Sequence, residues 1–203
     1  MSNEDTVFDG YETRELREKK KDAELGYLSM PLFEPLKGAH WGQFNDRPVD
    51  QKAVKTLLAS FNGNLENCTD NTAIEVIVRK GWLEEGVTFH ETVEGLSIDQ
   101  VSKLRLSEEG INAVGDKNLW VLGGNHRREA VQSYVTTKKK ERKGIEKKLE
   151  AATSKRKKRR GDTEIEDAET QEEEEKMRQM MTRLDGDIAK ASEWVVRVYD
   201  QGE

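Results

Sequence analysis

The sequence is poor in cysteine, proline and histidine and has no long hydrophobic run. Its 203 residues include one Cys, three Pro and three His. The single cysteine, Cys68, excludes an intramolecular disulfide and fits a reducing compartment. The histidines stand apart at His40, His90 and His126, which speaks against a zinc cluster. No apolar stretch approaches the roughly 20 residues a membrane-spanning helix needs, and the first residues lack the apolar core of a signal peptide. An excess of positive charge is missing too. With 34 Lys and Arg against 40 Asp and Glu, net attraction of the whole chain to nucleic acid is not indicated. Charged residues make up 36% and hydrophobic ones 34%, so part of the chain must be exposed arm or tail around one elaborated domain.

The most informative stretch runs from Leu119 to Val131. A short apolar strand, Leu119-Trp120-Val121-Leu122, meets the diglycine Gly123-Gly124, and a helix opens on Asn125, His126 and Arg127. Glycine permits strained backbone angles and close approach of a ligand. The first N–H groups of a helix are unpaired and carry partial positive charge. With the donors of His126 and Arg127 at the same end, the stretch reads either as a phosphate site or as a plain strand–turn–helix corner with solvated basic residues.

Upstream, Arg47-Pro48-Val49-Asp50 precedes a helix whose apolar positions Ala53, Val54, Leu57, Leu58 and Phe61 form one stripe. Asp50 suits its N-cap. A buried strand follows at Ile74–Arg79. These two segments together resemble the ParB/sulfiredoxin superfamily. Sulfiredoxins carry a Gly-Gly-Cys-His-Arg turn at such a corner, with alanine three residues after the arginine. Here the turn is Gly123-Gly124-Asn125-His126-Arg127, followed by Ala130. The ParB version of the loop fits less well, matching at Gly124, Arg127 and Ala130 but not at Asn125, His126 and Glu129. The resemblance spans Asn45–Lys80, Leu119–Tyr134 and Trp194–Asp200, a minority of the chain.

The resemblance implies an α/β (α+β) domain with a mixed sheet and flanking helices that binds a nucleoside triphosphate, ATP or CTP, with Mg²⁺. It assigns backbone N–H groups of Gly124 and Asn125 and the side chains of His126 and Arg127 to phosphate, with Gly123 part of the same nucleotide-binding turn. Arg47, Lys52, Thr56 and Ser60 fall beside the nucleotide, Lys52 one position from the family lysine. The alternatives for Thr56 and Ser60 are local bonds to the backbone, and for Lys52 a solvated helix face. Asn125 stands where sulfiredoxins need a cysteine, and an amide cannot take up the sulfur intermediate, so sulfinic-acid reductase activity is not expected. Cys68 lies in a loop with no motif to make it a substitute. The catalytic residues are unknown; Asp46 and Glu129 are the nearby carboxylates, and no metal ligands are assigned. The implied activity is a nucleotide-dependent switch, weak NTPase or phosphotransferase within a longer intracellular protein, nuclear or cytoplasmic. The alternatives are a DNA-associated nucleotide-dependent clamp, or a protein-interaction module with a vestigial pocket.

Residues 1–24 form a mobile leader or loose helix, and 25–137 the nucleotide-binding domain. Tyr27 to Leu36 suits an edge strand, and Gly38 to Asp46 a loop whose Trp41 covers either a base or the core edge. Ser97 with Gln100 forms a capping box, predicting a helix through Val101, Leu104 and Leu106. Residues 138–190 form a charged arm, basic to Lys155–Arg160 and then acidic through Glu172–Glu175. Ile145, Leu149 and Ala152 share one helical face, and Met177, Met180, Met181, Leu184 and Ile188 another, so the arm reads as a coiled-coil-like hairpin with opposite charges facing. It offers a surface for a protein partner, and its basic run resembles a nuclear import signal. Residues 191–203 return to the domain as the strand Trp194–Tyr199.

Overall fold

The computed structural model describes residues 18–32, 40–41, 48–115, 120–158 and 164–202, with the side chains of 40–41, 114–115, 155–158 and 164–169 left out. The expectations for the leader before residue 18 and for the loop at 42–47 lie outside the described residues. The protein is an α/β chain with a five-stranded mixed sheet. The strands are β1 (Glu24–Pro31), β2 (His40–Trp41), β3 (Ile74–Val78), β4 (Trp120–Val121) and β5 (Glu193–Asp200), ordered β1-β5-β3-β4-β2. β1 and β5 are antiparallel, β5 and β3 parallel, β3 and β4 antiparallel, and β4 and β2 parallel. The helices are α1 (Gln51–Gly63), α2 (Glu108–Gly115), α3 (Asn125–Lys158) and α4 (Glu164–Ser192). None of the described helices is long and apolar enough to cross a membrane.

The chain divides into two compact units. One holds the sheet, with residues 1–49, 66–125 and 193–203; the other holds α1, α3 and α4, with residues 50–65 and 126–192. The boundary expected between the domain at 25–137 and the arm at 138–190 is not an element boundary, because α3 runs unbroken from Asn125 to Lys158 and lies with α4 in the second unit from His126 on.

In the sheet unit, register builds one wholly apolar face. Leu28 pairs with Val196, which pairs with Ile74; Val198 pairs with Val76, which pairs with Val121. Met30 opposite Trp194 completes it, and all of these are essentially inaccessible to solvent. Each such side chain contributes roughly 1.5–3 kcal/mol by leaving water. The opposite face carries Tyr27, Ser29 and Val195, and over it pack Val93, Ile98 and Val101.

That covering segment departs from the expected helix. The Ser97–Gln100 capping box forms, but it closes only a single 3₁₀ turn, Ile98–Gln100. The chain then runs extended. Leu104 N–H donates to Ser29 O at 2.7 Å, and Ser29 N–H donates to Ser102 O at 2.8 Å. The reason is the edge of the sheet: β1 offers unpaired backbone groups, and residues 102–104 satisfy them. Tyr27 and His90 exchange two further backbone bonds at 2.8 and 3.1 Å. The close approach needs a glycine before Tyr27. Gly26 has φ +121, and a Cβ there would lie 2.6 Å from His90 O. Trp41, expected in a loop, lies in the two-residue strand β2, beside β4.

In the helical unit, Asp50 caps α1 as expected, its Oδ1 accepting from Lys52 N–H at 2.8 Å. Val54 and Phe61 are buried, and the Phe61 ring meets Tyr134 of α3 edge-on at 6.4 Å. Burial along α3 recurs at Val131, Val135, Lys138, Arg142, Ile145, Leu149 and Ala152, and along α4 at Glu174, Met177, Met181, Leu184, Ile188 and Ala191. Steps of four and three residues alternate throughout, the spacing of one narrow helical seam. Arg142 Nε donates to Asp185 Oδ1 at 2.6 Å, so at this pair the basic helix meets the acidic one. Met180, expected on the apolar face, is 53% exposed, because it falls one residue off this seam.

Gly26→Ala is expected to lower stability by on the order of 2 kcal/mol, through the left-handed backbone and the clash with His90 O. Gly81→Ala, which meets open space, serves as the control. Urea unfolding checks this: equal midpoints for the two variants would contradict the close packing of the 83–106 segment on β1.

Candidate functional site

The glycine turn leaves β4 at Leu122, whose N–H donates to Glu75 O at 2.9 Å on β3. Of the two glycines, only Gly124 is required by the backbone. Its φ is +89, and a Cβ would lie 3.3 Å from Ile74 Cγ1; Gly123 meets open space. Asn125 is the first residue of α3. No acidic residue stands in the first turn of α3, the end of a helix that carries partial positive charge.

His126 is held by an interaction the sequence did not reveal. Its Nε2 accepts the Asp50 N–H at 2.8 Å. The imidazole is therefore an acceptor on that nitrogen, and its N–H donor is at Nδ1. The same bond ties the start of α1 to the start of α3, with Asp50 using its backbone toward His126 and its carboxylate toward Lys52 N–H. Arg127 is half-buried, and burial pulls its guanidinium below its ordinary pKa.

Lys52, Thr56 and Ser60 recur every fourth residue along the exposed side of α1. Both hydroxyls donate to their own helix: Thr56 Oγ1 to Lys52 O at 3.0 Å, and Ser60 Oγ to Leu57 O at 2.7 Å. Each keeps acceptor capacity but has committed its proton. Arg47 and Asp46 lie outside the described residues. Glu129 is exposed. Cys68 is half-buried, and burial, followed by the charges of Glu94 and Asp70, raises its thiol pKa, the opposite of what a nucleophilic cysteine needs. Among the described residues, no group of three His, Cys, Asp or Glu side chains converges to hold a metal.

Sequence reasoning missed a polar cluster on the sheet. Tyr27, Arg197 and Glu75 share one cross-strand row. Arg197 donates to the Tyr27 hydroxyl and lies 3.6 Å from Glu24; Tyr199 donates to Glu75 Oε1 at 3.3 Å; Lys20 pairs with Glu75 at 2.6 Å. Burial lowers the Arg197 pKa, but hydrogen bonds to Tyr27 and Tyr199 outweigh it and hold the guanidinium above its ordinary value. Only the pairing register brings these residues together, and no local motif announces it. Comparison with protein-family models, curated proteins and solved structures finds no match.

His126→Ala leaves the Asp50 N–H without its acceptor and is expected to cost about 1 kcal/mol. Hydrogen exchange reads it directly: the Asp50 amide should exchange faster, with amides in β3 and β5 unchanged. Unchanged exchange at Asp50 would contradict the bond.

Proposed function

We propose that the first turn of α3, with the start of α1 bound beside it through His126, takes the phosphates of a nucleoside triphosphate, ATP or CTP. The observation that carries this reading is the backbone itself. A glycine with positive φ delivers the chain into a helix whose first turn is rich in donors and free of acid. The N–H groups near Gly124 and Asn125, the Nδ1–H of His126 and the guanidinium of Arg127 are the donors, while Gly123 gives the turn its open space. Lys52, Thr56 and Ser60 along α1 suit the sugar and base end, with the two hydroxyls as acceptors. Arg47 is kept in the proposal on the sequence resemblance alone. Mg²⁺ is bound chiefly through phosphate oxygens in such sites and would arrive with the nucleotide. The reading is a ParB/sulfiredoxin-like nucleotide switch or weak NTPase, without the thiol chemistry that Asn125 removes.

A second reading rests on the commitments of Thr56, Ser60 and His126 to their own backbone. It takes the pocket as vestigial and the long hairpin as a protein-interaction module. Calorimetry with a panel of triphosphates separates the two. Charge-assisted bonds contribute roughly 1.5–3 kcal/mol, so Arg127→Ala is expected to weaken ATP or CTP binding about tenfold or more. No binding at millimolar nucleotide by the unaltered protein would refute the first reading.

The basic run Lys155–Arg160 supports nuclear import as a further part of the proposal. Replacing its six residues with serine is expected to move a fluorescent fusion from nucleus to cytoplasm. Unchanged nuclear accumulation would refute the import reading and leave the nucleotide proposal standing.

A further inference from the structure

The helical arm separates charge by helix. α3 carries thirteen Lys and Arg against four Glu, and α4 ten Asp and Glu against four Lys and Arg. It also leaves apolar surface partly open. Ile145, Leu149, Met177, Met181 and Ile188 are only half-buried, and Met180 is 53% exposed. All but Met180 lie on the α3–α4 seam itself, so two helices leave its outer side open to solvent, whereas four enclose it.

We propose that this arm pairs with the arm of a second copy of the chain, forming a four-helix bundle through α3 and α4 of each copy. Charge identifies the occupant. The surface that best complements a basic helix beside an acidic one is the same pair of helices, turned so that each helix meets its opposite. Charge also selects the symmetry. A two-fold axis running along the helices sets α3 beside the α4 of the second copy and puts like-charged helices on the diagonals. An axis across the helices stacks α3 on α3 and is repelled. The two-fold contact is closed, using the same patch on both copies, so association stops at the dimer. Because its charges lie at the surface rim, the pairing is sensitive to salt.

Sedimentation equilibrium on the full chain tests this. A dimer is expected at low salt, with its dissociation constant rising about tenfold or more as salt approaches molar strength. Two charge-reversed variants locate the contact: Lys139→Glu/Lys140→Glu/Lys143→Glu on α3, and Glu172→Lys/Glu173→Lys/Glu175→Lys on α4, all at exposed positions. Each alone should self-associate more weakly while keeping its helical circular dichroism. Their equimolar mixture should regain a dimer, through the unaltered α3 of one and the unaltered α4 of the other. Three results would overturn the proposal. One is an unaltered protein that stays monomeric at concentrations on the order of 100 μM. Another is a dimer indifferent to salt and to both variants. The third is a monomer whose basic helix instead retains duplex DNA.

Discussion

The insertion of β5 between β1 and β3 is the constraint on which the sheet depends. Among the described residues, β5 is the only strand with long partners on both sides, antiparallel to β1 over Glu24–Pro31 and parallel to β3 over Ile74–Val78. Its Trp194, Val196 and Val198 supply the middle of the apolar face. β5 begins at Glu193, directly after α4 ends at Ser192. The whole excursion through α3 and α4 must therefore return before the sheet can close. Parallel pairing of β3 with β5 is a contact of long sequence separation and carries its loop-closure cost. A helical seam of regular four-and-three spacing lowers that cost by holding α3 to α4.

The edge of the sheet shows the same economy of backbone groups. β1 is an edge strand, yet its buried residues Tyr27, Leu28, Ser29 and Met30 sit in its middle. Residues 90 and 102–104 take up its outward N–H and C=O groups, so the edge is closed to pairing with another chain. Gly26 is required for this contact, just as Gly124 is required against Ile74 at the other glycine position that touches a neighbour on the sheet.

Elements governed by local rules were legible in the sequence. The Asp50 cap, the α1 stripe, the alternation in Ile74–Val78 and the two charged helices all follow from residues close in the chain. What was not legible depends on partners distant in sequence. The capping box at Ser97 is real, but the helix after it loses to the unpaired edge of β1, which the local sequence does not display. Met180 was read onto the apolar face because helical periodicity over a few residues tolerates an error of one position. In the candidate site, the diglycine turn before a helix was legible, whereas which glycine needs a positive φ depends on Ile74, and the Asp50–His126 bond spans 76 residues and had no local signal. The hydroxyls of Thr56 and Ser60 took the local alternative that every helix offers a Ser or Thr.

The proposed triphosphate site lies at the first turn of α3. Nuclear magnetic resonance of the amide groups during titration with ATP and CTP tests it most directly, because the proposed contacts are N–H groups. The amides of Gly124, Asn125, His126 and Arg127 are expected to move first and farthest, followed by those at the start of α1. Titration shifts confined to α2 or to the 83–106 segment, or no shift at saturating nucleotide, would contradict it.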